Sequence, residues 1–372
     1  MSKRALVIVL DSVGCGDAPD AAEYGDLGAD TLGHLYAGIL GLNLPSLESL
    51  GLAGILGRET SVGIRDRSMA FRLTEQSAGK DTTTGHWEMM GCPIEDAFYT
   101  CESYPDDFVE ALATAAGTGF IGNRVASGTE ILKELGEEHV RTTFPILYTS
   151  ADSVLQIAAH EEVFGLERLY DLCRTARALL DERGMRVGRV IARPFLGHGA
   201  ESFERTGNRH DYSLTPGQTV MDRLRENGVK VIGVGKISDI FAGKGISESY
   251  PTKGNAGGME AIDKLWLERA GEDRFIFANL VEFDSLYGHR RDPEGYASCL
   301  MEFDAWLGGF LDKISGSDLV VITADHGNDP YHSGTDHTRE QVPCLVIPGE
   351  GLRTGEMREF SDVGKCVENH FS

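Results

Sequence analysis

Residues 5–11 read Ala-Leu-Val-Ile-Val-Leu-Asp (ALVIVLD), six apolar residues closed by a carboxylate. An unbroken apolar run, unlike an alternating one, fits a strand covered on both faces, which is the habit of parallel sheets. The same pattern recurs far along the chain. Leu319 to Ala324 (LVVITA) runs into Asp325-His326, and Phe275 to Phe283, interrupted by Asn279 and Glu282, runs into Asp284. Val229 to Val234 before Gly235-Lys236, and Val342 to Ile347 before Pro348-Gly349, read as further strands of the same sheet. Leu300, Phe303, Leu307, Phe310, Leu311 and Ile314 recur at steps of three and four, giving one apolar stripe on a helix that covers the sheet. The expectation is an α/β core with a mostly parallel sheet flanked by helices. Ligands of such sheets lie beyond the carboxyl ends of the strands, so Asp11, Asp284 and Asp325 should converge there. A lone strand-end aspartate caps the next helix more often than it binds metal. Three of them accompanied by histidines form a different pattern.

The 372 residues include 58 acidic and 35 basic side chains, a formal charge of −23. Displacing counterions from DNA or RNA needs a Lys/Arg surplus, so nucleic acid is not an expected partner, and the same excess repels anionic membranes. No uncharged apolar run reaches the roughly 18 residues of a membrane-spanning helix. Asp11 interrupts the apolar run after Met1-Ser2-Lys3-Arg4 too soon for a secretory leader. The seven cysteines (Cys15, Cys92, Cys101, Cys173, Cys299, Cys344, Cys366) are odd in number and never spaced CxxC. They point to a reducing cytoplasm, without disulfides or a thiolate metal site.

His289 follows Asp284 by five residues, His326 adjoins Asp325, and His337 lies eleven residues further on. With Asp11, that makes three carboxylates and three imidazoles. Oxygen and imidazole donors suit Mn²⁺, Mg²⁺ or Zn²⁺, and six ligands are enough for two ions, the recurrent clamp for displacement at phosphorus. His34, His139, His160, His198, His332 and His370 are expected on the surface or behind the ligands. In Gly79-Lys80-Asp81-Thr82-Thr83-Thr84-Gly85-His86 the threonines either cap a helix or supply a nucleophilic hydroxyl at a helix N-terminus beside metal. Neither a Gly-x-Ser-x-Gly elbow nor a P-loop is present, which argues against serine hydrolases and P-loop kinases.

These groups together resemble the alkaline phosphatase superfamily. Within it, DSVGCGDAPDA (11–21), KDTTTGHWE (80–88), YTSADSVLQIAAHEE (148–162), RTGNRHDYS (205–213), VGKISDIF (234–241), DSLYGHRRD (284–292), DHGNDP (325–330) and GTDHTREQVP (334–343) are similar to the bacterial phosphopentomutases. The resemblance implies Thr82 as the nucleophile. It implies Asp11, Asp325 and His326 around one divalent ion and Asp284, His289 and His337 around another, most often Mn²⁺. It further implies interconversion of ribose 1-phosphate and ribose 5-phosphate, or the deoxyribose phosphates, through a phosphothreonine and a pentose 1,5-bisphosphate. Priming would come from a sugar bisphosphate of the glucose 1,6-bisphosphate type. Asp152, Arg193, Arg209, His210 and Lys236 would contact the substrate.

A mutase must keep its phosphoenzyme from water, so a smaller α/β cap is expected, inserted as residues 97–217 into a core of 1–96 and 218–372. A metal-dependent phosphatase or phosphodiesterase with the same core is the alternative, and free phosphate discriminates it from the mutase. Cofactor-independent phosphoglycerate mutase uses serine where this chain has Thr82. Tyr331 stands where the family pattern leads one to expect threonine.

Overall fold

The computed structural model describes residues 2–150, 153–268, 271–349 and 355–372. The chain divides into two compact units, residues 1–96 with 216–372, and residues 97–215.

In the first unit seven strands form one sheet in the order Glu248–Tyr250, Lys230–Val234, Arg274–Leu280, Arg4–Leu10, Leu319–Thr323, Val342–Ile347, Met69–Leu73. The first five run parallel, as their unbroken apolar runs imply. Arg4–Leu10 is central, and its residues from Ala5 onward are buried. Its register sets the site: Leu10 lies opposite Leu280 and Val9 opposite Thr323. Two residues beyond Val9 and Thr323 the chain reaches Asp11 and Asp325 side by side.

Val342–Ile347 belongs to this sheet but runs antiparallel to both neighbours. A parallel return needs a long crossover, usually helical. Here residues 324–341 form no helix and stay at the carboxyl edge, so the chain turns back on itself. The run from Phe275 leaves the strand at Leu280, and Phe283–Gly288 forms a π-helical turn. The helix over Pro293–Leu311 starts with Pro293 in its first turn and with Asp292 accepting from the Gly295 N–H. It buries Leu300, Phe303, Leu307, Phe310 and Leu311, and it ends before Ile314.

In the second unit Ile121–Val125, Ile146–Thr149, Val154–His160 and Arg189–Leu196 form a mixed sheet, and Glu204–Arg205 and His210–Ser213 both pair with Arg189–Leu196. Leu166–Glu182 lays Leu169, Leu172, Ala176 and Leu180 against Leu155 and Ile157, while Ile131 and Leu132 join Ile146, Ala158 and Phe195 in a separate cluster. The architecture is the expected one, a mostly parallel sheet flanked by helices with a smaller α/β unit. Among the described residues no helix is long and apolar enough to cross a membrane.

Candidate active site

Asp11 and Asp325 leave adjacent strands level with each other and are almost fully buried, with 3% and 0% exposure. Asp325 Oδ1 accepts the Ser12 N–H at 3.1 Å, and Asn279 Nδ2 donates to Asp11 Oδ2 at 2.9 Å. Ser12 sits at φ 74°, a left-handed conformation that costs a non-glycine residue about 1–2 kcal/mol. Its hydroxyl pairs with Tyr296 Oη at 3.0 Å. The other two oxygens, Asp11 Oδ1 and Asp325 Oδ2, are buried without a hydrogen-bond partner among the described residues. His326 Nε2 lies 3.4 Å from the first and 3.6 Å from the second.

On the neighbouring strand the π-helical turn brings Asp284 and His289 together, with Nε2 of His289 3.2 Å from Asp284 Oδ2. His337 Nε2 is 3.4 Å from Asp284 Oδ1 and 3.1 Å from His289 Nε2, and its ring stacks on His326 at 3.9 Å between centroids. Asn328 Nδ2 donates to Asp284 Oδ1 at 2.7 Å. All six residues implied as metal ligands therefore meet at the carboxyl edge.

The imidazoles share one feature. His289 Nδ1 is 2.7 Å from the Thr335 carbonyl, His337 Nδ1 2.9 Å from that of Lys80, and His326 Nδ1 3.1 Å from that of Gly327. A carbonyl cannot donate, so each Nδ1 carries a hydrogen, and in the neutral form of each ring the lone pair is on Nε2. Those lone pairs face carboxylate oxygens and, for His289 and His337, each other. Such an arrangement is repulsive until a cation occupies the shared space. The electrostatics of the cluster show the same demand for positive charge. Burial works against a charge on His326, yet Asp325 and Asp11 raise its pKa well above the ordinary histidine value. His289 is raised by its bond to Asp284. Burial would raise Asp284, but His289, His337 and the His326 charge hold it well below the usual carboxylate range. Asp11, by contrast, is raised by burial and by the adjacent Asp325. Two sets, Asp11–Asp325–His326 and Asp284–His326–His337, have donor atoms all within 4.8 Å of one another, and His326 belongs to both. Orphaned buried oxygens, free Nε2 lone pairs and an oxygen–imidazole donor set all fit divalent ions.

The helix Thr82–Met89 enters this edge by its N-terminus. Asp81 caps it, accepting from the N–H groups of Thr83 and Thr84 while its own N–H donates to the Thr84 hydroxyl. Asp81 and Thr84 thus do the capping. That leaves the half-buried Thr82 hydroxyl free to lie 3.2 Å from His326 Nε2. Gly85 permits the approach, because a Cβ there would come 2.1 Å from the Asp325 carbonyl oxygen. The Lys80 carbonyl, one residue before the cap, is the acceptor for His337, so the loop ahead of Thr82 and the last imidazole are tied together.

The model of the metalloenzyme superfamily matches residues 3–372. The phosphopentomutase of Symbiobacterium thermophilum is 52% identical over an alignment of 372 positions, which takes in 98% of this chain and 94% of that one. The chain belongs to the phosphopentomutase family. That membership makes it an enzyme of the isomerase class. Among solved structures, the PH0037 protein from Pyrococcus horikoshii is similar at 16% identity and a TM-score of 0.47, covering 98% of this chain and 91% of that one. The Leishmania mexicana phosphoglycerate mutase is similar at 13% identity with the same TM-score, covering 97% and 93%. At that distance neither adds to the assignment to the phosphopentomutases, which rests on the first two matches.

The residues that the phosphopentomutase resemblance names for substrate fall in different places. Arg193 lies on Arg189–Leu196 with Nε bonded to Gln156 Oε1 at 3.0 Å; burial and the nearby Arg209 and Arg205 charges lower its pKa. Arg209 forms a two-pronged pair with Asp211, 2.6 Å on each prong. His210 is exposed between the rings of Tyr170 and Tyr212. Lys236 is in the first unit, just past the strand Lys230–Val234. Asp152 lies outside the described residues. Tyr331 is half-exposed, edge-on to His34, and bonded through its N–H to Asp329. His139, His160 and His370 prove to be buried; His139 accepts the His160 N–H and packs at a tilt against Phe195 in the second unit, so they are packing groups, neither surface residues nor neighbours of the carboxylate–imidazole cluster.

Sequence reading passed over Ser12, His86, Asn279 and Asn328. His86 is fully buried, with Nδ1 2.8 Å from the Thr82 carbonyl and 3.1 Å from Asp325 Oδ2. Asn279 has a visible signal, a polar residue breaking a buried strand three positions before its carboxyl-end acid cluster begins. Ser12 has none, because nothing in its type announces a left-handed backbone.

Proposed function

We propose that the chain interconverts ribose 1-phosphate and ribose 5-phosphate, and the corresponding deoxyribose phosphates, through a phosphorylated Thr82. The observation that carries this reading is the Thr82 hydroxyl, 3.2 Å from His326 Nε2 at the edge of the two carboxylate–imidazole sets. Asp11, Asp325 and His326 would hold one divalent ion and Asp284, His289 and His337 the other, with Mn²⁺ as the ion. Bound there, the ions would lower the pKa of the hydroxyl and neutralise charge on a phosphoryl group.

In the proposed cycle phosphothreonine 82 gives its phosphoryl group to O5 of ribose 1-phosphate, whose hydroxyl proton is released. The product is the 1,5-bisphosphate and a free threonine. Thr82 Oγ1 then takes the phosphoryl group from O1, which leaves as a hydroxyl, and ribose 5-phosphate departs. A sugar bisphosphate such as glucose 1,6-bisphosphate would load Thr82 in the first place. Asn279, Ser12 and Asn328 orient the carboxylates, while the Lys80, Gly327 and Thr335 carbonyls hold each Nδ1–H and so turn Nε2 of each neutral imidazole toward the ions. We assign substrate binding to the unit 97–215 as the cap, with Arg193, Arg209 and His210 supplying positive charge and hydrogen bonds, joined by Asp152 and by Lys236 of the core. The seven free cysteines suit a reducing compartment, and we place the enzyme in the cytoplasm.

The test is a ³¹P NMR time course with Mn²⁺, a trace of glucose 1,6-bisphosphate and ribose 1-phosphate. The proposal requires ribose 5-phosphate to appear with little inorganic phosphate. Phosphate release matching substrate loss would make the chain a phosphatase.

A further inference from the structure

We infer that Arg291 is a positioning residue that assembles the Asp284–His289–His337 ion site without touching ion or substrate. The inference rests on the ion assignment proposed above. Arg291 lies two residues past His289, half-buried, with φ at +52°. That left-handed backbone closes the π-helical turn, where the Arg291 N–H donates to the Gly288 carbonyl at 3.1 Å and the Asp292 N–H to that of Tyr287 at 3.0 Å, and the surrounding groups hold the side chain in place. They do so through the whole guanidinium. Nε donates to the Gly334 carbonyl at 2.5 Å, Nη2 to that of Asp336 at 3.0 Å, and Nη1 both to the Gly288 carbonyl at 3.0 Å and to Asn328 Oδ1.

Two of these acceptors, Gly288 and Asp336, directly precede proposed ligands of one set, Gly334 lies in the loop that leads to His337, and Asn328 bonds Asp284 of the same set. Gly288 precedes His289. Asp336 precedes His337, and its loop, residues 331–336, has no helix or strand to fix it. Asn328, its amide oxygen held by Arg291, is obliged to present Nδ2, and that group donates to Asp284 Oδ1 at 2.7 Å. The guanidinium therefore also settles which way the Asn328 amide faces. In return, His289 Nδ1 bonds the Thr335 carbonyl, inside the loop that Arg291 clamps at both ends. Among the described residues Arg291 makes no hydrogen bond to Asp11, Asp325 or His326, so its influence should fall on one ion only. A planar fork with donors in fixed directions suits this spanning role, and a lysine ammonium does not.

The experiment titrates chelator-stripped protein with Mn²⁺, following heat by calorimetry and free Mn²⁺ by EPR. Variants are Arg291→Gly, which removes the side chain and eases the left-handed backbone, and Arg291→Lys, which keeps charge and backbone but loses the fork. Wild type should bind two ions. Both variants should keep one wild-type affinity and weaken the other about 10- to 100-fold, the usual cost of losing a group that orients metal ligands. In an Asp284→Asn background Arg291→Gly should add less than about twofold, since the site it serves is already broken. Two wild-type affinities in Arg291→Gly overturn the inference. So do equal weakening at both sites, an undiminished effect in the Asp284→Asn background, or full recovery by Arg291→Lys. A lowered melting point with the ratio of the two affinities unchanged would show a merely structural role and overturn it as well. Fewer than two ions on the wild type would instead bring down the ion assignment, and the fork with it.

Discussion

Replacing Glu340 by Gln should change how the stability of the first unit depends on pH. Glu340 is 2% exposed and sits where the chain from His337 rejoins the sheet. Its Oε2 accepts the N–H groups of Thr31 at 2.8 Å and Gly16 at 3.3 Å; Oε1 accepts the hydroxyls of Thr31 at 2.7 Å and Thr338 at 2.6 Å. Burial outweighs these donors and pushes its pKa from 4.5 up to about 7. Below pH 4.5 the group is protonated in both folded and unfolded chains and costs nothing. Between 4.5 and 7 the unfolded chain ionises first, so stability falls as pH rises, and above 7 the loss is complete. At about 1.4 kcal/mol per pH unit the loss amounts to about 3 kcal/mol. Glutamine imitates the protonated acid, because its carbonyl can accept the two N–H groups while its NH₂ donates to the two hydroxyls, which rotate to accept. The assay is urea unfolding in chelator at pH 4, 5, 6, 7 and 8. It is read by tryptophan fluorescence, since Trp87, Trp266 and Trp306 all lie in the first unit. The difference between Glu340→Gln and wild type should be near zero at pH 4 and grow to about 3 kcal/mol in favour of the variant at pH 8. A difference that stays flat across the range, or a variant less stable at pH 8, refutes the reasoning.

Thr82→Ala should abolish turnover while Mn²⁺ content and melting point stay near wild type, as metal analysis and calorimetry would show; residual mutase activity would remove Thr82 from the mechanism. Asp325→Asn should weaken Mn²⁺ binding at least about tenfold, because a neutral amide attracts a dication less than a carboxylate does; equilibrium dialysis checks it. Arg339→Met should cost about 3–5 kcal/mol by urea unfolding, since it strips the partner 2.7 Å from the buried Glu75 carboxylate, and adding Glu75→Gln should restore much of that loss.

Much of the core was legible because buried parallel strands leave unbroken apolar runs, and the aspartates at their ends mark where a sheet of this kind keeps its ligands. The direction of Val342–Ile347 was not, because burial on both faces looks the same whichever way a strand runs; only the helix-free connection from Asp325 betrays the turn back. Asp284 and His289 were readable as one turn apart, although its π-helical width was not. The six proposed ligands carry their chemistry in their residue types. Ser12, Asn328 and Arg291 act by backbone angle and by carbonyls they reach far along the chain, and such partnerships leave no local trace in sequence. His86 lies in a recognisable motif, yet its bond to the Thr82 carbonyl and its approach to Asp325 Oδ2 depend on the close helix–strand packing that Gly85 allows.

The most direct measurement is anomalous diffraction at the manganese edge from crystals grown with Mn²⁺. Two peaks are expected, one among Asp11, Asp325 and His326 and one among Asp284, His289 and His337, with Thr82 Oγ1 facing both. A single peak, peaks elsewhere, or Thr82 turned away from them would contradict the account.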